Sequence, residues 1–441
     1  MSEHVDLLLR PRWLIRVSPD CTPLAGHALA VRDGRIVAVL PADAARERFA
    51  PDRIEDLPDH VLMPGMVNAH GHAAMNLLRG LGDDLALMDW LNQAIWPAEG
   101  RHVSAGFVRD GTTLAAAEML RGGITTFNDM YFFPEAAAAA VDRTGIRALL
   151  GVVVIEFASS YASGPDDYLA KGLAARDDWQ GHPRIAFTLA PHAPYTVSDE
   201  SFERVRNLAD ELDLTVHLHV HETRHEVEAS LVEHGARPLA RLDRLGLLSP
   251  NLLAVHAVHL APGEIEAMAR HGVRVAHCPS SNMKLASGAA PVGELLAAGV
   301  TVGLGTDGAA SNNRLDLFME MREAALLAKL SRLDATALDA HQALTMATLG
   351  GARAIGLEAE IGSLTAGKWA DLCAVAFDDA DLAPCFDPVS HLVYVAGREN
   401  VSHVWVGGRL VARGRRLVDV EDAELMAISA LWQNRIDPQA R

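Results

Sequence analysis

Three short stretches of this chain carry residues that could act together on one metal ion. His70-Gly71-His72 places two imidazoles two positions apart, and in extended backbone residues i and i+2 point to the same side, so both can reach one ion. His217-Leu218-His219-Val220-His221-Glu222 alternates three histidines along one side of a strand and closes on an acid. A ligand must lie near the end of that strand, so His219 is preferred. His217 then lies deeper, in a packing or hydrogen-bonding role, and His221 begins the following loop. Gly305-Thr306-Asp307-Gly308 ends an apolar run on an aspartate between glycines. Three imidazoles and a carboxylate suit one Zn²⁺ with room for a water, whose pKa the ion brings toward about 7. Fe²⁺ and Mn²⁺ are the alternatives that such donors also accept. Asp307 and His256 could accept the water's proton. Glu222, just beyond the ligand, is a candidate proton carrier. The chemistry implied is hydrolysis by a metal-activated water.

These residues are useful only if the fold gathers them. Eight apolar, β-type runs alternate with helix-like stretches, at 61–72, 123–130, 146–154, 184–193, 214–222, 252–259, 273–282 and 300–308. That alternation predicts a parallel sheet closed into a (β/α)₈ barrel. Nearly every run ends in a chemically capable group: His70 and His72, Asn128 and Asp129, His192, His219 and Glu222, His256, His277, Asp307. Active sites of such barrels sit at the C-terminal ends of the strands, so one face would collect them all. The fourth run contains no lysine to bridge a second ion, which favours a single metal per subunit. Both chain ends read as short strands and hairpins, including a turn at Arg32-Asp33-Gly34-Arg35. We expect a composite β-sandwich from residues 1–63 and 370–441 beside a barrel spanning 64–369.

Composition narrows the classes. The chain has 441 residues, 49% of them hydrophobic, and a formal net charge of −18. Clustered basic residues, which phosphate contacts require, are missing from the sequence, so neither nucleic acid nor an anionic membrane is an expected partner. No apolar run nears the roughly 20 residues of a membrane span. The N-terminus lacks signal-peptide character, and the 4 cysteines show no CxxC pair. A cytoplasmic enzyme is expected.

The stretches PGMVNAHGH, HVHETRHEV, AVHAVHL, AHCPSSNMKLASGAAPV and LGTDGAASNNRLDLFMEMR resemble the amidohydrolase superfamily. Within it they resemble the aminohydrolase and chlorohydrolase branch, above all the 5'-methylthioadenosine/S-adenosylhomocysteine deaminases. The resemblance covers nearly the whole chain. It implies His70, His72, His219 and Asp307 as metal ligands, Glu222 as the acid that protonates the purine ring, and His256 as the histidine beside the attacking water. It further implies Glu99 as the acid on the ribose hydroxyls and His192 as the histidine on the purine. The implied reaction is hydrolytic deamination of an adenine nucleoside to the inosine analogue and ammonia, by a homo-oligomer, a dimer or tetramer. Relatives that take S-adenosylhomocysteine use arginines near the third strand. Here that run continues Val152-Val153-Val154, and Arg147 stands at its start. A preference for 5'-methylthioadenosine follows, with the apolar 5' pocket sought among Trp90, Met130 and Phe133. Two rival readings are an amino- or chlorohydrolase of another heterocycle (guanine, 8-oxoguanine or an s-triazine) and, more remotely, an inactive barrel that binds without catalysis.

Overall fold

A computed structural model describes residues 2–437. All eight expected strands are present. They are β1 (Met66–Gly71), β2 (Ile124–Asp129), β3 (Arg147–Val154), β4 (Ile185–Pro191), β5 (Val216–Val220), β6 (Leu252–His256), β7 (Arg274–His277) and β8 (Val302–Leu304). Each runs parallel to the next in chain order, as strands joined by crossover helices must. β1, β2, β3, β5 and β6 are buried along their whole length, so their few polar residues, such as Asn68, Thr126 and His217, lie inside the structure rather than in solvent. Side-chain caps start several of the crossover helices: Ser104 accepts from the Phe107 N–H, and Ser198 from the Ser201 N–H.

The barrel closes between β1 and β8. The Asp307 N–H donates to the His70 carbonyl at 3.1 Å. Asn68 bridges the same seam, accepting from the Thr306 N–H at 2.9 Å and donating to Thr306 Oγ1 at 2.8 Å. Gly305 permits this approach, since a Cβ there would lie 2.9 Å from Cys278 Sγ and 3.0 Å from the His70 Cβ.

The two chain ends build one nine-stranded mixed sheet. Its central strand, Phe49–Pro64, runs parallel to Glu3–Ile15 and antiparallel to Leu372–Ala376. The strands His27–Arg32 and Arg35–Pro41 form the expected hairpin, with Asp33 at φ 51° and Gly34 at φ 74° in the turn. Residues from opposite ends of the strand order, such as Leu29, Ile36, Leu372 and Trp405, share one core, so the sheet wraps around it as a sandwich does. The run at 61–72 divides between the two sheets. It breaks at Gly65, where any Cβ would sit 2.2 Å from the Thr125 side chain. No helix among the described residues is long and apolar enough to cross a membrane.

The seam gives the first prediction. Asn68→Ala leaves the buried Thr306 amide without a partner, which costs about 1–3 kcal/mol. The apparent midpoint of thermal unfolding should fall measurably, and an unchanged midpoint would remove Asn68 from the closure.

Candidate active site

His70 lies one residue before the end of β1, and His72 follows at the start of the next turn. His219 lies on β5, and Asp307 stands just past β8. Closure brings them together although His70 and Asp307 are 237 positions apart. Each imidazole is held from behind at Nδ1. His72 Nδ1 lies 2.6 Å from the Met130 carbonyl, His219 Nδ1 2.7 Å from the His192 carbonyl, and His70 Nδ1 2.8 Å from His217 Nε2. With Nδ1 so occupied, all three rings turn Nε2 inward. His70 Nε2 and His72 Nε2 each lie 3.2 Å from Asp307 Oδ1, and His219 Nε2 lies 3.3 Å from His70 Nε2.

Those spacings fit a metal. Donors about 2.0–2.2 Å from a tetrahedral ion stand about 3.3 Å from one another. The charges fit as well. Burial pushes His70 down to about 4 and drives His219 well below the usual imidazole range, so both are neutral donors. Burial opposes ionisation of Asp307, but His70 and His72 outweigh it and hold the carboxyl well below its ordinary range. Burial likewise opposes a charge on His72, yet Asp307 lifts it to about 9. Asp307 thus brings a negative charge to the point where the four side chains meet.

The flank of this group is arranged for proton transfer. His256 ends β6 and its Nδ1 lies 2.9 Å from Asn282 Oδ1, so Nδ1 carries the proton and Nε2 is left as a base. That Nε2 lies 3.8 Å from Glu222 Oε2. Burial raises the Glu222 carboxyl above its ordinary value. Glu226 fixes the turn that carries it, accepting from the His221 and Glu222 N–H groups at 2.8 Å each. Asp307 is braced by Ser281 Oγ at 2.6 Å and Ser311 Oγ at 2.8 Å, both donating to Oδ2. His221 (φ 57°), His256 (φ 69°) and Asp307 (φ 59°) all adopt left-handed backbone, which non-glycine residues take at a cost and which clusters at functional sites.

A cavity of about 240 Å³ opens onto this centre and is lined by His72, His192, His219, Glu222, His256 and Asp307 on its inner side. Glu99 reaches it from the segment between β1 and the helix Ala105–Arg121. Its Oε1 accepts a 2.6 Å bond from the Tyr131 hydroxyl, and burial raises its carboxyl. His192 has one ring nitrogen 3.0 Å from Thr196 Oγ1, and burial keeps it neutral, down to about 3. Trp90 and Met130 line the cavity, whereas Phe133 faces a separate shallow pocket beside Glu135 and Tyr161. The cavity wall contains no lysine or arginine among the described residues. Arg147 is buried at the opposite end of β3, paired with Asp371 at 2.8 Å and donating to the Pro183 carbonyl.

Three strand-end residues lie outside the cavity wall. Asn128 donates to the Ala69 carbonyl, Asp129 accepts from the Ala73 N–H, and His277 is buried behind the wall. Sequence reasoning did not single out Ser281, Asn282, Ser311, Glu226 or Tyr131. Ser281 and Asn282 fall inside the CPSSN stretch immediately after β7, where a strand-end search could have found them.

The chain and its fold have known relatives. Residues 61–411 match the model of the amidohydrolase family. A 5-methylthioadenosine/S-adenosylhomocysteine deaminase from Teredinibacter turnerae is 46% identical over 98% of this chain and 98% of its own. The crystal structure of an adenosine deaminase from Xanthomonas campestris with bound zinc superposes with a TM-score of 0.98 at 50% identity, covering 99% of this chain and 100% of that one. Atrazine chlorohydrolase from Arthrobacter aurescens in complex with zinc gives a TM-score of 0.87 at 26% identity, over 97% and 99% of the two chains.

Metal analysis of the purified protein should find one divalent ion per chain. Chelation should lower the thermal midpoint, because an ion bound only by the folded chain stabilises it. His219→Ala should abolish both the ion and the chelator effect.

Proposed function

The chain belongs to the amidohydrolase family, and on that premise we propose that it is a metal-dependent deaminase of adenine nucleosides, with 5'-methylthioadenosine its preferred substrate. The observation that carries the preference is the cavity wall, which joins the histidine–aspartate centre to an apolar space without a cation.

His70, His72, His219 and Asp307 would hold the ion. When bound, it supplies Lewis acidity that makes a coordinated water a competent nucleophile near neutral pH. His256 Nε2 takes the water's proton, with the ring kept in register by Asn282. Asp307 assists from its Oδ1 side, its other oxygen being held by Ser281 and Ser311. Glu222, whose carboxyl burial raises above its ordinary value, gives its proton to the purine N1 as the water oxygen bonds to C6. The C6 hydroxyl proton then passes to Glu222 as the carbonyl forms, His256 returns its proton to the exocyclic nitrogen, the bond from C6 to that nitrogen breaks and ammonia leaves. His192 orients the purine. Glu99, one oxygen tied by Tyr131, offers the other to the ribose hydroxyls.

Two broader readings accompany this one. We propose a homo-oligomer, dimer or tetramer, on analogy with the family. We also place the protein in the cytoplasm, in keeping with its four free cysteines.

The decisive assay follows the loss of adenine absorbance with 5'-methylthioadenosine, with and without chelator. Glu222→Gln should lower kcat by about 10²–10⁴, the usual contribution of a positioned acid or base. S-adenosylhomocysteine carries a carboxylate that finds no guanidinium in this wall, where a bidentate Arg contact would be strong. Its kcat/KM should therefore be lower than that of 5'-methylthioadenosine, and equal values would overturn the preference. Turnover of guanine or an s-triazine in place of nucleosides would favour the heterocycle alternative.

A further inference from the structure

Two of the three histidines at the metal centre rest on backbone carbonyls, Met130 behind His72 and His192 behind His219. His70 rests on another imidazole. His217 Nε2 lies 2.8 Å from His70 Nδ1, with the rings nearly perpendicular at 83° and their centroids 4.9 Å apart. His217 is fully buried inside the barrel, two residues before His219 on β5. Its other ring nitrogen, Nδ1, is buried without a hydrogen-bond partner.

That orphan needs a reason. A buried polar atom without a partner costs about 1–3 kcal/mol, and an apolar side chain would fill the barrel without it. What an apolar side chain cannot supply is an acceptor for His70. For His70 to offer a lone pair at Nε2, its proton must sit on Nδ1 and have somewhere to go. An imidazole also accepts that proton without adding a negative charge beneath the centre, as a carboxylate would.

We propose that His217 is a positioning residue for the metal, fixing the tautomer and ring plane of His70 so that its Nε2 is a permanent donor. The proposal rests on the reading of His70, His72, His219 and Asp307 as the ligand set. Glutamine is the informative replacement, because its amide oxygen can take the place of Nε2, whereas phenylalanine fills the space and accepts nothing.

The test measures zinc affinity by competition with a chromophoric chelator, in wild type, His217→Phe, His217→Gln and His70→Ala, independently of activity. Loss of a hydrogen-bond partner behind a ligand typically weakens metal binding by about 10–100-fold. His217→Phe should show a loss of that size, and His217→Gln should recover most of it. Circular dichroism and the thermal midpoint of the metal-free proteins report folding, and His217→Leu serves if the phenylalanine variant does not fold. A folded His217→Phe or His217→Leu protein with wild-type affinity overturns the proposal, as does a glutamine variant as weak as phenylalanine. If His70→Ala also keeps wild-type affinity, the ligand reading itself has failed. If His70→Ala is weak while the His217 variants are not, only the role of His217 has.

Discussion

The seam between the first and eighth strands is the constraint on which everything else depends. Asn68, Thr306 and the backbone bond from Asp307 to His70 join the two edges of the barrel sheet. The same few residues bring the first histidines to the aspartate. Barrel closure and assembly of the polar centre are thus one event in space. A sheet that failed to close would leave two exposed edges, and it would also separate His70 and His72 from Asp307.

The seam brings buried polar groups together at a cost, and the surroundings show how that cost is met. Every inward nitrogen is matched by an outward one held by a carbonyl or an imidazole. Both oxygens of Asp307 are engaged by hydroxyls, by the Gly308 amide and by histidine. Glu226 fastens the two amides that lead to Glu222. The left-handed turns at His221, His256 and Asp307 persist because these bonds over-determine them. Such a centre has its polar groups hydrogen-bonded in place without a substrate, and preorganised polar groups are what stabilise charge as it develops.

Much of this was legible in the sequence, for physical reasons. Parallel strands buried on both faces are mostly apolar, so polar groups gathered toward their C-terminal ends stand out; His70, His219, His256 and Asp307 did so, although buried polar residues such as Thr126 and His217 also lie within the strands. Strand limits were less legible. The run at 300–308 holds a strand of three residues, Val302–Leu304, because the extended look of Gly305-Thr306-Asp307 belongs to the seam. The run at 61–72 hides a passage between two sheets at Gly65, fixed by its packing on Thr125. Alternation put His217 on the side of His219, but which nitrogen meets which ring depends on the depth and tilt of β1 against β5. Tyr131 comes from a loop and Ser311 from the four-residue helix Ala309–Asn312, both too short or irregular for a periodicity to point inward.

Arg147 and Asp371 carry a different lesson. The pair is buried beneath the barrel, and Asp371 also accepts from the Gly407 amide of the end sheet. Residues 372–376 complete the sheet begun by residues 49–64. Until the last part of the chain is made, therefore, the strand Phe49–Pro64 has an open apolar edge and Arg147 lacks its counter-charge. A nascent chain on the ribosome holds nearly the whole barrel in this unfinished state. The C-terminal strands thus act as a late clasp, and the interval before they arrive is the time when this protein most needs protection from aggregation.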